Sequence, residues 1–191
     1  MIKSFPRLTK AAYRRRYLFR KPNYGPKVFC LGFIRTGTTS LGQAFEKLGY
    51  LDSGYKSYAH QWFKEKDYDK IIKLTAKLDS TSDIPWSYPE LIPLLYEAFP
   101  DSKFVYLTRE ENSWKKSYVK FHKRVNNYDA DPNEGWDKLL DHQKFILDFF
   151  DDKPNQLLQL TINDTLGLKK LTDFLSKPFI ANAFPHANKS S

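Results

Sequence analysis

The chain reads Gly32-Phe33-Ile34-Arg35-Thr36-Gly37-Thr38-Thr39-Ser40 immediately after a short apolar run. The apolar run predicts a buried strand at Val28–Gly32, and the apolar spacing after the loop predicts a helix from Thr39 to a C-terminal cap at Gly49. Two glycines permit a tight turn with inward backbone N–H groups, and a helix N-terminus adds partial positive charge. The alternative is an ordinary strand-to-helix turn. The strand before and the helix after favour a phosphate-cradling loop.

The loop differs from a nucleoside-triphosphate loop. In the pattern G-x-x-x-x-G-K-[ST] a lysine follows the second glycine, whereas Thr38 occupies that position here. The apolar strand Phe104–Thr108 is followed by Arg109 and not by an aspartate that could hold Mg²⁺. No Cys/His spacing in the sequence is typical of a metal site. The sequence therefore predicts phosphate binding without a metal.

Strands and helices alternate along the rest of the chain. This order predicts a three-layer α/β fold, of the P-loop type, with a largely parallel central sheet flanked by helices. The further predicted strands are Lys103–Thr108 and Leu157–Ile162, and the further predicted helices are Asp67–Lys77, Glu90–Ala98, Glu110–Phe121, Trp136–Phe150 and Leu168–Leu175. Residues 52–66 are predicted to form a loop with a short helix.

The positive charge lies at one end of the chain. The net charge is +9, and the first 27 residues carry nine Lys and Arg and no acid. Removing these nine from the 31 basic residues leaves 22, which balance the 22 acids. We therefore divide the chain into a basic N-terminal arm, residues 1–26, and a domain over residues 27–191. The arm can contact an anionic surface or partner, or it is a solvated extension.

The remaining composition limits the compartment. A single cysteine, Cys30, excludes an internal disulfide, and no stretch is long and apolar enough for a transmembrane segment. The N-terminus lacks the apolar core of a secretory signal. These features predict a cytoplasmic protein.

A second pair of candidate phosphate ligands follows the strand Lys103–Thr108. Arg109 stands at the strand end, and Ser117 lies about two turns into the next helix, where the two can meet around one phosphate. Taken singly, Arg109 could instead pair with Glu110 or Glu111, and Ser117 could be an exposed helix serine.

These motifs resemble the sulfotransferase family. Residues 33–41 resemble its 5′-phosphosulfate loop, where a basic residue stands at the position of Arg35, and residues 104–117 resemble its 3′-phosphate-binding element. The resemblance implies the donor 3′-phosphoadenosine 5′-phosphosulfate (PAPS), its product adenosine 3′,5′-bisphosphate (PAP), and no metal. The implied donor-binding residues are Arg35, Thr36, Gly37, Thr38, Thr39, Ser40, Arg109 and Ser117.

Two further stretches are similar to the single-domain branch of bacteria and flatworms. They are residues 83–104, with Asp83-Ile84-Pro85-Trp86, and residues 174–188, with Phe184-Pro185-His186-Ala187-Asn188. The basic arm before the usual start and Leu168, where the branch often has tryptophan, depart from that pattern.

Transfer of a sulfuryl group to a hydroxyl requires a base near the acceptor and charge stabilisation on the leaving phosphate. The resemblance implies Asp83 as the base, His60 as the competing base, and Arg35 on the leaving phosphate. The aromatic residues Tyr55, Tyr58, Trp62, Phe63 and Tyr68 line an acceptor site or simply pack in the core. The alternatives are a P-loop kinase for a small metabolite and a nucleotide-binding relative without catalysis. The acceptor and the oligomeric state stay open.

Overall fold

Four parallel strands form the central sheet. The computed structural model describes residues 16–178 and residue 184, so predictions for His186 and for residues 1–15 of the arm lie outside the described residues. The strands lie side by side in the order β2–β1–β3–β4. They are β1 (Val28–Cys30), β2 (Ser80–Thr81), β3 (Lys103–Thr108) and β4 (Leu157–Thr161).

Helices cover the connections between these strands. A short 3₁₀ helix, Arg16–Phe19, precedes β1. The α-helices are α1 (Thr38–Lys47), α2 (Ser57–Lys64), α3 (Tyr68–Thr75), α4 (Ile92–Ala98), α5 (Glu111–Val125), α6 (Pro132–Phe150) and α7 (Gly167–Phe174). Because every strand pair is parallel, each connection crosses over the sheet, as helix-containing connections do.

Side chains that alternate along the strands build one core on each face of the sheet. On one face Phe29, Phe104 and Tyr106 pack with residues of α3, α4 and α6. On the other face Val28 and Val105 pack with residues of α1 and α7. The predicted three-layer α/β fold is therefore confirmed.

The edge strand β2 was absent from the sequence prediction. Ser80 and Thr81 are polar yet about 1% exposed, so they give no apolar signal for a strand. Their backbones pair with Val28 and Phe29 of β1, and an isolated parallel bridge joins Asp52 to Ser80 on the other side. The sheet thus has four strands where three were predicted, and the segment after β2 carries Asp83 to the same sheet edge as the loop after β1.

The described part of the basic arm lies against the domain. The Tyr17 hydroxyl is 2.8 Å from the Tyr58 hydroxyl, and Arg20 forms an ion pair with Asp79 at 2.8 Å. The Asn23 amide donates to the Ala76 carbonyl, and the Tyr24 ring stacks on Phe99. Residues 17–24 are therefore anchored to the domain. Within residues 16–178 we find no helix that combines the length and the apolar character of a membrane span.

Candidate active site

The candidate loop, residues 32–40, lies at the edge of the sheet where the parallel strands end. It connects β1 to α1, which begins at Thr38, and the residues after β3 and β4 reach the same edge. Ligands of open parallel sheets bind at this edge. The strand order therefore places the loop between the ends of β2 and β3.

Hydrogen-bond donors hold the backbone carbonyls of the loop and of the residue before it. The indole N–H of Trp114 donates to the Ile34 carbonyl at 2.8 Å, and an Arg109 N–H donates to the Arg35 carbonyl at 2.8 Å. His142 Nε2 is 2.8 Å from the Leu31 carbonyl, and the Thr36 hydroxyl donates to the Phe33 carbonyl at 2.7 Å. The turn is thus held by α5, by α6 and by the residue after β3, together with one hydrogen bond of its own.

Close contacts leave no room for a side chain at the two glycines of the loop. A Cβ at Gly37 would lie 2.4 Å from Ile162 Cγ1, and φ at Gly37 is 113°. A Cβ at Gly32 would lie 2.7 Å from the Thr36 hydroxyl and 3.1 Å from Leu107 Cβ. A β-carbon at either position would fill the space that the turn needs.

The first turn of α1 provides the hydrogen-bond donors of the loop. Gly37 stands at the N-cap and has no side chain to cap the amides of Thr38 and Thr39, which have no carbonyl partner within the helix. The hydroxyls of Thr38, Thr39 and Ser40 lie on the same turn. A cavity of about 150 Å³ adjoins them, lined by residues 35–40, 108–109 and 161–163. An anion in this cavity would meet backbone N–H groups, hydroxyls and the positive end of the helix dipole.

Arg35 lies at the bend of the loop. Its φ of 68° is in the left-handed region, which is uncommon for a residue with a side chain. Arg35 Nε donates to the Ser117 hydroxyl at 3.0 Å, and its guanidinium carbon is 5.1 Å from the centre of the Phe121 ring. The side chain therefore extends from the loop onto α5.

Arg109 connects the end of β3 to both the loop and α5. In addition to the Arg35 carbonyl, it donates from Nε and Nη2 to the Ser113 hydroxyl at 3.1 and 2.9 Å. The Glu110 carboxylate accepts from the amides of Asn112 and Ser113 at 2.7 Å each, so it caps α5. Arg109 is thus oriented by the loop and by Ser113.

The positive charges of this region repel one another. Burial, together with the charges of Arg109 and Arg124, lowers the pKa of Arg35. Burial also lowers the pKa of Arg109, and the nearby Glu110 opposes this only in part. Guanidinium groups stay protonated in proteins, so both remain cationic. The field at the loop therefore favours a bound anion.

A groove on α5 continues the cavity beyond Arg109. Its volume is about 400 Å³, and it is lined by Arg109, Glu110, Asn112, Ser113, Lys116, Ser117 and Lys120. The structure thus places Arg109 and Ser117 together, as the sequence predicts. Ser113, Lys116 and Lys120, which the sequence does not single out, line the same groove.

Asp83 lies two residues beyond β2, at the same sheet edge. Its Oδ1 accepts from the Ile84 amide at 2.8 Å, and burial raises the pKa of the carboxyl group. Its charge in turn contributes to raising the pKa of Tyr88 and of Cys30. Asp83 is therefore close to Tyr88 and to the end of β1, although it is not among the residues that line the loop cavity.

His60 lies on α2 between two tyrosine rings. The centre of its ring is 6.3 Å from Tyr55 and 6.0 Å from Tyr88. Its Nδ1 is buried without a hydrogen-bond partner among the described residues. Burial and the charge of Lys64 lower the pKa of His60. Tyr88 therefore contacts His60 and lies near Asp83, which brings both candidate bases into one neighbourhood.

A buried carboxylate fixes the segment that precedes Asp83. Asp52 accepts from the hydroxyls of Ser80 and Ser82 at 2.8 and 2.5 Å and from the Gly54 amide at 3.0 Å. Burial raises the pKa of Asp52 to about 6. A Cβ at Gly42 of α1 would lie 2.4 Å from the Ser82 hydroxyl oxygen. The helix after the loop and the segment before Asp83 are therefore in direct contact.

The aromatic residues proposed for an acceptor site separate into two groups. Tyr58, Trp62, Phe63 and Tyr68 pack against the core on one face of the sheet. Tyr55 is 54% exposed and lies beside His60. Core packing thus accounts for the first group, and Tyr55 is the member that can contact a ligand.

Several residues at this edge are not predicted from the sequence. The hydroxyls of Thr108 and Thr161 are 2.8 Å apart at the ends of β3 and β4, and residues 161–163 line the cavity. Their position at parallel strand ends was the available signal. Within residues 16–178 no group of three or more His, Cys, Asp and Glu residues is arranged to hold a metal ion.

Comparison with known proteins gives consistent matches. The sequence profile described as a sulfotransferase domain matches residues 27–146. Ava biosynthesis cluster protein M of Aspergillus versicolor is 23% identical over 214 residues, which cover 84% of this chain and 80% of that protein. The solved sulfotransferase domain from the curacin biosynthetic pathway aligns with a TM-score of 0.52 at 16% identity, covering 84% of this chain and 77% of the other. The last likeness shows a shared fold.

Proposed function

The chain belongs to the sulfotransferase domain family, and we propose that it transfers a sulfuryl group from PAPS to a hydroxyl group of a small or medium-sized acceptor. The observation that carries this proposal is the convergence of the candidate loop, Arg109 and Ser117 at one sheet edge. In the reaction, the acceptor oxygen forms a bond to sulfur. The bond from sulfur to the 5′-phosphate oxygen breaks, and PAP leaves.

The residues of the loop fit the anionic donor. The amides and hydroxyls at the start of α1 that line the cavity would bind the 5′-phosphate. Arg109 and Ser117 would bind the 3′-phosphate. Arg35, which reaches from the loop to Ser117, would stabilise the charge that develops on the leaving phosphate.

Asp83 would accept the proton of the acceptor hydroxyl. Burial raises its pKa, which makes the carboxylate a stronger base than that of an exposed aspartate. His60 is the competing base, because its lowered pKa keeps the imidazole neutral and its Nδ1 has no partner among the described residues. Either Asp83 or His60 would therefore act as the base. The exposed ring of Tyr55 is our candidate contact for the acceptor.

We also propose a cellular location, an acceptor class and a use for the basic arm. A single buried cysteine, Cys30, supports a cytoplasmic location. The relative from Aspergillus is named for a biosynthesis cluster, which supports an acceptor of the small-molecule class. An anionic surface contact through the first residues of the basic arm is the proposed use of its charge.

Two alternatives give different results in the same assays. A small-metabolite kinase would bind ATP with Mg²⁺, which Thr38 in place of lysine disfavours. A nucleotide-binding relative without catalysis would bind PAP and show no turnover of PAPS with any acceptor.

The test is calorimetric titration with PAP in metal-free buffer. We expect micromolar binding to the wild type and at least a tenfold loss in Arg109→Ala, because that side chain holds the Arg35 carbonyl and faces the groove. Arg20→Ala is the matched control, since Arg20 pairs with Asp79 away from the loop. Absence of PAP binding to the wild type, together with binding of ATP and Mg²⁺, would refute the proposal.

A further inference from the structure

Two lysines of α5 face the groove beside Arg109. Lys116 and Lys120 are one helical turn apart, so they project from the same side of the helix as Ser113 and Ser117. Within the described part of the chain, neither ammonium group has a hydrogen-bond or ion-pair partner. The charge of Lys116 acts on Glu110, whose two oxygens are already engaged by backbone amides.

Other lysines of the same helix are engaged in other contacts. Lys115 binds the carboxylate of Glu111 at 2.5 Å and the amide oxygen of Asn133 at 2.8 Å. Lys123 binds the carboxylate of Asp129 at 2.9 Å. The helix therefore carries two lysines that are neutralised by neighbours and two that face the groove.

Arg109 is one of three cationic residues that line the groove, and Ser117 adds a hydroxyl but no charge. Three N–H groups of Arg109 already donate to the Arg35 carbonyl and to Ser113. The Ser117 oxygen already accepts from Arg35. A phosphate monoester has three terminal oxygens and close to two negative charges, so the remaining donors of Arg109 and Ser117 do not saturate it. Lys116 and Lys120 line the same groove and can supply the additional donors.

We propose that Lys116 and Lys120 determine specificity for the 3′-phosphate of the donor, so that the protein selects a 3′-phosphorylated adenylate over one that carries only a 5′-phosphate. This inference rests on the proposed function. It assigns to α5 the discrimination between PAP and adenosine 5′-monophosphate (AMP), and it leaves the 5′-phosphate to the loop.

The experiment is metal-free calorimetry with two probes, PAP and AMP. The test variant is Lys116→Gln/Lys120→Gln, and the matched control is Lys115→Gln/Lys123→Gln, which removes the same charge from the same helix. We expect the test variant to bind PAP about tenfold more weakly, as two partly solvated charge contacts allow. We expect AMP binding to change less than twofold in both variants, and PAP binding to stay near wild type in the control.

The outcomes separate the inference from the proposed function. A wild type that binds neither probe refutes the donor assignment itself. A wild type that binds PAP, with the PAP-to-AMP affinity ratio unchanged in the test variant, refutes the role of the two lysines alone. An equal loss in test and control variants also refutes it, because the effect would then follow the total charge and not the groove.

Discussion

Arg35 Nε donates a hydrogen bond of 3.0 Å to the hydroxyl of Ser117, a residue 82 positions later in the chain. This bond joins the candidate loop to α5, the two elements proposed to hold the two phosphates of the donor. Arg109 joins the same elements by a second route, through the Arg35 carbonyl and Ser113. The two phosphate positions therefore share structural support, and their contributions to binding should be coupled.

A double-mutant cycle measures this coupling. We expect Ser117→Ala to weaken PAP binding about tenfold in the wild type and distinctly less in Arg35→Lys, because lysine lacks the N–H that Ser117 accepts. The coupling energy should be about 1 kcal/mol, the size found for residues in direct contact. Ser113→Ala, which removes a partner of Arg109, is the comparison and should couple less to Arg35→Lys. Additive losses for Arg35 and Ser117 would contradict the coupling between the two phosphate positions.

The backbone of the loop makes a prediction about stability. Gly37→Ala should lower the free energy of unfolding by roughly 2 kcal/mol or more, since a left-handed φ of 113° and a contact of 2.4 Å with Ile162 act together. Gly49→Ala is the matched control: its φ is 88° and no atom lies within 4 Å of the added Cβ, so only backbone strain of about 1 kcal/mol applies. Urea denaturation of both variants gives the comparison.

A third variant separates the two causes at Gly37. Introducing Ile162→Ala into the Gly37→Ala variant should restore the part of the unfolding free energy that is lost to the steric contact. The loss caused by backbone strain should remain. Equal destabilisation by Gly37→Ala and Gly49→Ala would mean that Ile162 moves aside without cost.

The sequence predicts those parts of the fold that have an apolar or turn signal of their own. The predicted strand Lys103–Thr108 has the bounds that the structure shows, since its four central residues form a buried, largely apolar run. The strand β2 could not be predicted, because its two residues are polar and obtain their burial from Asp52 and β1. The sequence also indicates that Arg109 and Ser117 can meet, and both line one groove, whereas their role in donor binding stays a prediction. Likeness to the single-domain branch stays a prediction.

The contacts within the site depend on tertiary structure. Nothing in the spacing of Arg35 and Ser117 indicates that they bond to each other, since that distance follows from how α5 crosses the sheet edge. The same holds for Trp114, whose indole fixes the Ile34 carbonyl. The sequence shows which residue types stand at these positions, but it does not show which residues they bond to.

The buried carboxylate Asp52 predicts a pH dependence of stability. Its folded pKa of about 6 is higher than the value near 3.9 of an unfolded aspartate, so the folded state binds its proton more tightly. The stability of the wild type relative to Asp52→Asn should therefore be greatest below about pH 4 and fall, by up to roughly 3 kcal/mol, as pH rises to about 7. Chemical denaturation at several pH values measures this difference.

Asp79 supplies a control of opposite sign. The Arg20 ion pair and the Leu51 amide lower the pKa of Asp79 despite its partial burial. The wild type should thus be more stable than Asp79→Asn above about pH 4, and this advantage should fall as pH decreases further. A wild-type advantage over Asp52→Asn that grew with pH would show that the three donors around Asp52 outweigh its burial.

The role of Asp83 can be separated from donor binding, because this residue lies at the sheet edge but outside the loop cavity. With PAPS and any hydroxyl compound that supports turnover, we expect Asp83→Asn to lower kcat by about 10²–10⁴ and to leave PAP affinity within twofold. His60→Gln should reduce kcat far less, since the imidazole would then serve only as a neighbour of Tyr88. Chromatographic measurement of PAP formation, with calorimetry on the same preparations, gives both quantities.

A loss of kcat in His60→Gln without one in Asp83→Asn would transfer the role of base to His60. A loss of PAP affinity in Asp83→Asn would instead show that its carboxylate holds the segment after β2 in place, as Asp52 does for Ser82.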